Sequence, residues 1–420
     1  MLELLTRLWP LKRSLVSDGY DEALKIIARY YDIKVSSYPS GTECWTWTIP
    51  DKWTCHDAYL ETLDGKRVID YKDHPLHCMD YSLPVDKVVD REELFNHLYV
   101  HEKNPDAIPY IFKFYERDWG LCCTRNVKDS LTDSRYKVVI KTEFSKGKLK
   151  VGQLWLQGKT DNIFVIMAHL CHPYLANDDL SGVVVGLELM KQLKSMEDRN
   201  YSYLLLLVPE TIGSVAWLSH NEEIIPKIKG GLFLEMLGHN SPHALQRSYQ
   251  GNTQVDISLE YVLKEMDGNA YCRNFSEIIR NDELEFNSPS FRIPMLSLSR
   301  CLPPESDSFP YPEYHTHFDH PDIIKEQCLQ ESLDLAFNML KVFDKNIYPK
   351  AKFKGQVFCS KYGLYPKELD QYLILMKVMF DLDGKHSVID ICNKHNLRLN
   401  DVYKIINSFI AHDLVEVIFY

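Results

Sequence analysis

Hydrophobic and polar positions change their period along the chain, and each change predicts a different kind of element. Asp21–Tyr31 (DEALKIIARYY) spaces its apolar residues as one face of a helix. From about residue 45 to residue 150, short runs rich in Val and Tyr, with Trp45, Trp47 and Trp53, are broken by turn signals such as Asp64-Gly65. They predict mostly strands, with one short helix over Glu93–Val100. From about Gly152 to Lys345 the runs become continuously apolar. Asn162–Ala168 (NIFVIMA), Tyr203–Pro209, Gly231–Met236 (GLFLEM) and Ile293–Leu298 (IPMLSL) predict buried strands. Helices are predicted over Leu180–Leu193, from Ser214–His220 onward, and over Pro321–Phe343. Apolar strands separated by helices make an α/β unit, a mostly parallel sheet with helices on both faces. The chain ends in helix Gln371–Phe380, a turn at Asp383-Gly384, helices Val388–His395 and Asn400–His412, and a strand over Leu414–Phe419. That is the element order of a winged helix.

A length of 420 residues suits two or three domains at roughly 100–200 residues each. An apolar fraction of 45% and a charged fraction of 25% fit folded domains and leave no segment reading as a long disordered tail. The formal net charge of −11 argues against nonspecific binding to nucleic acid or an anionic membrane. Apolar stretches such as Ser202–Pro209 are too short to cross a bilayer, and Met1–Pro10 lacks the apolar run of a secretory leader. The cysteines number eleven, an odd count without a CxxC pair, which predicts free thiols in a reducing cytoplasm.

Groups able to carry chemistry fall where the predicted strands end, which is where α/β sheets bind ligands. His169-Leu170-Cys171-His172-Pro173 follows the first strand, and Ala176-Asn177-Asp178-Asp179-Leu180-Ser181-Gly182 then leads into a helix. Glu210-Thr211-Ile212-Gly213 follows the second strand, Glu235 ends the third, and Tyr314-His315-Thr316-His317-Phe318-Asp319 follows the fourth and a proline-rich loop. Imidazole and carboxylate donors from separate strand ends suit zinc, with a nearby carboxylate to accept a proton from water. No GxGxxG or GxxxxGKS competes with this reading. Each residue also has a plainer explanation. A lone histidine at a strand end is commonly structural, and a carboxylate before a helix commonly caps it. The ordered set favours metal for His169, Asp178, Glu235 and His315, and capping for Asp179.

The order His169…Asn177-Asp178…Glu210…Glu235…His315-Thr316 resembles the zinc aminopeptidase and glutaminyl cyclase clan. More closely, HLCHP, ANDDLSG, PETIGS and PEYHTHFD resemble a bacterial aminopeptidase-like family with a small inserted domain and a C-terminal winged helix, often linked to surface-polysaccharide genes. The resemblance implies an N-terminal part of the aminopeptidase-like domain in 1–45 and an inserted mainly β domain in 46–150. It puts the metal-binding domain in 151–347 and a winged helix-turn-helix in 348–420. It also implies metal ligation by His169, Asp178 (the bridging carboxylate), Glu235 and His315. Glu210 falls on the general base when its register is set by Gly213, and on a metal ligand when the gap is placed differently.

Two residues depart from the clan's pattern. Thr211 stands where a second glutamate binds the second metal, and Cys171 stands where an aspartate orients the first histidine. One tightly held zinc is therefore expected, with a second as an alternative, and His172 is an extra candidate ligand. The implied activity is zinc-dependent cleavage of an amide bond in a small peptide or an acylated amino or glycan precursor. Two other readings are a catalytically inactive zinc scaffold and a ligand-sensing regulator. The terminal helices, poor in basic residues, point to packing, a protein partner or a homo-oligomer rather than DNA.

Overall fold

The computed structural model describes residues 1–418. Contacts divide the chain into two units, Met1–Gly251 with Asn269–Ala336, and Asn252–Gly268 with Phe337–Tyr420. The first unit is built on an eight-stranded sheet. Its strands are β1 (Lys34–Pro39), β2 (Lys148–Leu156), β3 (Ile163–His169), β4 (Ser202–Val208), β5 (Ile228–Glu235), β6 (His243–Gln246), β7 (Tyr271–Arg273) and β8 (Met295–Arg300). They lie in the order β1-β2-β4-β3-β5-β8-β6-β7. The centre, β4-β3-β5-β8, is parallel, while β1, β2 and β6 pair antiparallel. The mixed α/β fold with a large sheet is the one expected.

The central strands are parallel because they are apolar on both faces: every residue of β3 and β4 is buried. Helix α1 (Gly182–Lys194) packs closely enough on β5 that a Cβ on Gly182 would come within 2.3 Å of the Leu234 carbonyl oxygen. The helix predicted from Leu180 is preceded by a wider turn, Asn177–Ser181, in which Asp178 and Asp179 leave helical geometry. Helix α2 (Ile212–Ser219) starts two residues before its predicted onset. The long helix predicted from Pro321 is split: Pro321–Ile323 is a separate turn, Ile324 is extended, and the helix runs Glu326–Lys345. Pro321 suits the first position of that short turn as well as that of a helix, which is why it misleads.

Between β1 and β2 lies a four-stranded antiparallel sheet in the order Arg67–Asp70, Lys52–Glu61, Arg135–Ser145, Val85–Asp90. The short helix there is Arg91–Asn96, capped by Asp90, and Leu98–Tyr99 is already a strand. In the second unit, helices Leu369–Phe380, Val388–His395 and Leu399–Ala411 enclose Val378, Ile391, Val402, Ile406 and Phe409. Tyr348–Ala351 pairs antiparallel with Val415–Ile418. Of the predicted strand Leu414–Phe419, Phe419 lies outside the described residues. Helix Gln254–Met266 belongs to this unit, and its Tyr261 hydroxyl accepts a hydrogen bond from the Leu399 amide at 3.2 Å. Among the described residues no helix is long and apolar enough to cross a membrane.

Candidate metal centre

The carboxyl ends of the central strands converge. His169 closes β3, Glu235 closes β5, Glu210 follows β4, and Asp178 sits in the turn before α1. His315 comes from the loop after β8. Asp178 lies at the middle, its side chain 1% exposed: His169 Nε2 is 2.8 Å from its Oδ1 and His315 Nε2 is 2.9 Å from its Oδ2. The His315 contact is close but not aligned as a hydrogen bond. Glu235 Oε1 is 3.9 Å from His169 Nε2, and Glu210 Oε2 is 3.4 Å from His172 Nε2. His317 and His320 lie apart from this cluster: His317 Nδ1 accepts from the Ile108 amide at 3.1 Å, and His320 packs on Trp9.

The backbone here is held in unusual conformations. His172, Thr211, Met236 and His315 all have positive φ, at 71°, 59°, 58° and 52°. Non-glycine residues in this region cost of order 1–3 kcal/mol each and gather at functional sites. Hydrogen bonds hold the turns around them. Asp319 accepts from the amides of Ala176, Asn177 and Asp178 at 3.2, 2.7 and 3.1 Å, and from the Tyr311 hydroxyl at 2.8 Å. Asp179 accepts from Gly182, Met236 and His169 amides at 3.0, 3.1 and 3.2 Å, the capping role expected of it. The Tyr110 amide donates to the His315 carbonyl at 2.7 Å, so a segment of the inserted region braces the His315 loop.

Several contributors carry no signal in the sequence. Cys171 does not orient His169; its sulfur accepts from the Glu210 amide at 3.1 Å and lies 3.3 Å from His172 Nδ1. Facing His169 Nδ1 is Asp282, whose Oδ2 lies 3.8 Å away. Asp282 Oδ1 accepts from the Thr211 amide at 2.9 Å and from the Ser214 hydroxyl. Neighbouring Asn281 donates to Glu235 Oε1. Both come from a polar loop with no strand-end pattern to mark it.

Burial opposes charge on His169, yet its hydrogen bond to Asp178 and the nearby carboxylates of Asp282 and Asp179 hold its imidazole well above the usual value. Burial pushes the Glu235 carboxyl well up and keeps the His172 imidazole neutral by lowering its pKa. It raises Glu210 to about 7 and Asp319 to about 7. The donor set fits a divalent cation. Glu235 Oε2 and His315 Nε2 are buried without hydrogen-bond partners, an expensive state that a cation relieves. The ligand atoms of His169, His172 and Asp178 all lie within 4.8 Å of one another, and so do those of Cys171, His172 and Glu210. A cavity of about 530 Å³ reaches Glu210 and Thr211 and is walled by Trp47, Phe112, Phe114 and Tyr115.

A family described as a domain of unknown function (DUF4910) matches residues 2–346. A Clostridium acetobutylicum protein, provisionally named a polysaccharide biosynthesis protein with an aminopeptidase-like domain, is 30% identical over 423 residues. That similarity covers 99% of this chain and 95% of the other. The crystal structure of a provisionally named peptidase from Clostridium acetobutylicum has a TM-score of 0.86 at 29% identity, covering 99% of this chain and 96% of that one. A zinc aminopeptidase from Bacillus subtilis shares the fold, with a TM-score of 0.60 at 15% identity over 81% of this chain and 93% of its own.

Proposed function

This chain belongs to the family described as domain of unknown function (DUF4910), and from that membership and its aminopeptidase-like fold we propose that it is a zinc-dependent hydrolase of amide bonds. The observation that carries the proposal is the buried carboxylate of Asp178, with His169 Nε2 at 2.8 Å from one oxygen and His315 Nε2 at 2.9 Å from the other. His169 and Asp178 would hold the ion, with Glu235 beside them and His315 on the far side of Asp178. When bound, zinc would supply Lewis-acid polarisation of a substrate carbonyl and acidify water. Glu210 takes a proton from the attacking water and returns it to the leaving amine; a carboxyl raised by burial to about 7 is matched to that task near neutral pH. Aromatic walls at Trp47, Phe112, Phe114 and Tyr115 receive the apolar part of the substrate and thin the water around Glu210.

The substrate class is a peptide with a free N-terminus or an acylated amine, and the name of the Clostridium acetobutylicum relative supports a glycan precursor. The free cysteines support a reducing, cytoplasmic setting. Helix Leu399–Ala411 carries Lys404 as its only Lys or Arg, which supports a protein contact or oligomer role for the terminal module over DNA binding. Thr211, which offers no carboxylate, favours a second reading as a metal-binding scaffold without catalysis. A panel of aminoacyl and N-acyl amides, assayed before and after chelation and zinc restoration, decides between the two. Hydrolysis that disappears with the metal and returns with it is expected. Chelator-insensitive hydrolysis contradicts the proposal, and no turnover by the zinc-loaded chain favours the scaffold.

A further inference from the structure

Resting on the hydrolase reading above, we propose that His172 is a direct ligand of the metal held by His169 and Asp178, so that two histidines hold the ion. The ligand atoms of His169, His172 and Asp178 all lie within 4.8 Å of one another. The local chain is built for this. His172 follows His169 by three residues in a loop, and its left-handed backbone, φ 71°, turns the ring back toward His169. The two imidazoles face each other at 4.7 Å between centroids and 31° between planes. Arg13 pins the turn by donating to the His172 carbonyl at 2.6 Å and to the Leu170 carbonyl at 2.9 Å.

The surroundings of the ring admit the tautomer that a ligand needs. Cys171 Sγ lies 3.3 Å from Nδ1, and that sulfur also takes the Glu210 amide. With Nδ1 carrying the proton and donating to sulfur, Nε2 keeps its lone pair for a cation. Glu210 Oε2 lies 3.4 Å from that Nε2.

The test uses the full chain, with zinc as the probe. Zinc content and affinity by chelator competition, and the visible spectrum of the Co²⁺-loaded protein, are compared for wild type, His172→Ala, His172→Gln and His169→Ala. Far-UV circular dichroism of each variant checks the fold, and His172→Gln keeps side-chain bulk should His172→Ala unfold. Loss of a ligand should exceed the roughly 10–100-fold typical of losing a ligand's hydrogen-bond partner. The expected result is a loss of more than about a hundredfold in both His172 variants with an altered Co²⁺ spectrum. A smaller loss with an unchanged spectrum makes His172 a neighbour and overturns the inference alone. Wild-type affinity in folded His169→Ala overturns the metal site itself, and the hydrolase reading with it.

Discussion

Replacing Arg13 with Met should destabilise the first unit and loosen the metal centre together. Arg13 is fully buried and gives its hydrogen bonds to main-chain carbonyls: Leu170 from Nε, Leu8 and Trp9 from Nη1, His172 and Leu175 from Nη2. These join the N-terminal segment to the HLCHP loop. Burial lowers its pKa to about 10, so it stays charged at neutral pH. In Arg13→Met the Leu8 carbonyl keeps the Leu11 amide at 3.2 Å, while the other four lose a buried donor. At about 1 kcal/mol for each, the loss is about 4 kcal/mol. For a unit of this size Tm should fall by about 6 °C. Scanning calorimetry of the zinc-free forms measures it, and chelator competition should show weaker zinc binding because the His172 turn has lost its anchor. A Tm within about 2 °C of wild type, with unchanged zinc affinity, would refute the reasoning.

Other perturbations separate the roles around the metal. Glu210→Gln should retain zinc and lose on the order of a hundredfold or more in amide hydrolysis; zinc loss would instead make Glu210 a ligand. Asp282→Asn keeps the bonds' shape but removes the charge facing His169, so zinc affinity should drop by about 10–100-fold, and an unchanged affinity would exclude a positioning role. In the terminal unit, burial would raise the Asp381 carboxyl, but bonds from Lys394 and His395 hold it below its ordinary 3.8. A depressed carboxyl stabilises the fold fully above the unfolded value and loses that contribution as pH falls below it. The stability gap between wild type and Asp381→Asn, read from urea unfolding, should therefore shrink as the buffer is acidified below about pH 4. A gap that grows on acidification would contradict the pairing.

Strand placement was legible because β3, β4 and β5 are buried on both faces, so their sequences are near-continuous apolar runs that need no tertiary information to recognise. The polar residues that interrupt those runs, His169, Glu210 and Glu235, were legible for the same reason. Asp282 was not: it reaches His169 across more than a hundred residues of sequence, from a loop whose polar texture is that of any surface loop. Arg13 was equally hidden, since a buried arginine satisfied by carbonyls leaves no partner residue to notice. His172 was visible only as an extra histidine. What raises it is its positive φ, a backbone property set by the HLCHP turn and Arg13 rather than by residue type. The start of the long helix was misjudged at Pro321 because the separate turn there uses the same proline and cap chemistry as a helix start.

Zinc bound to the full chain, compared with zinc bound to Asp178→Ala, tests the central claim most directly, because Asp178 is the carboxylate on which His169 and His315 both converge. After exhaustive dialysis, wild type should retain about one zinc per chain, and Asp178→Ala, folded by circular dichroism, should retain almost none. A folded Asp178→Ala that holds zinc as wild type does would contradict the account.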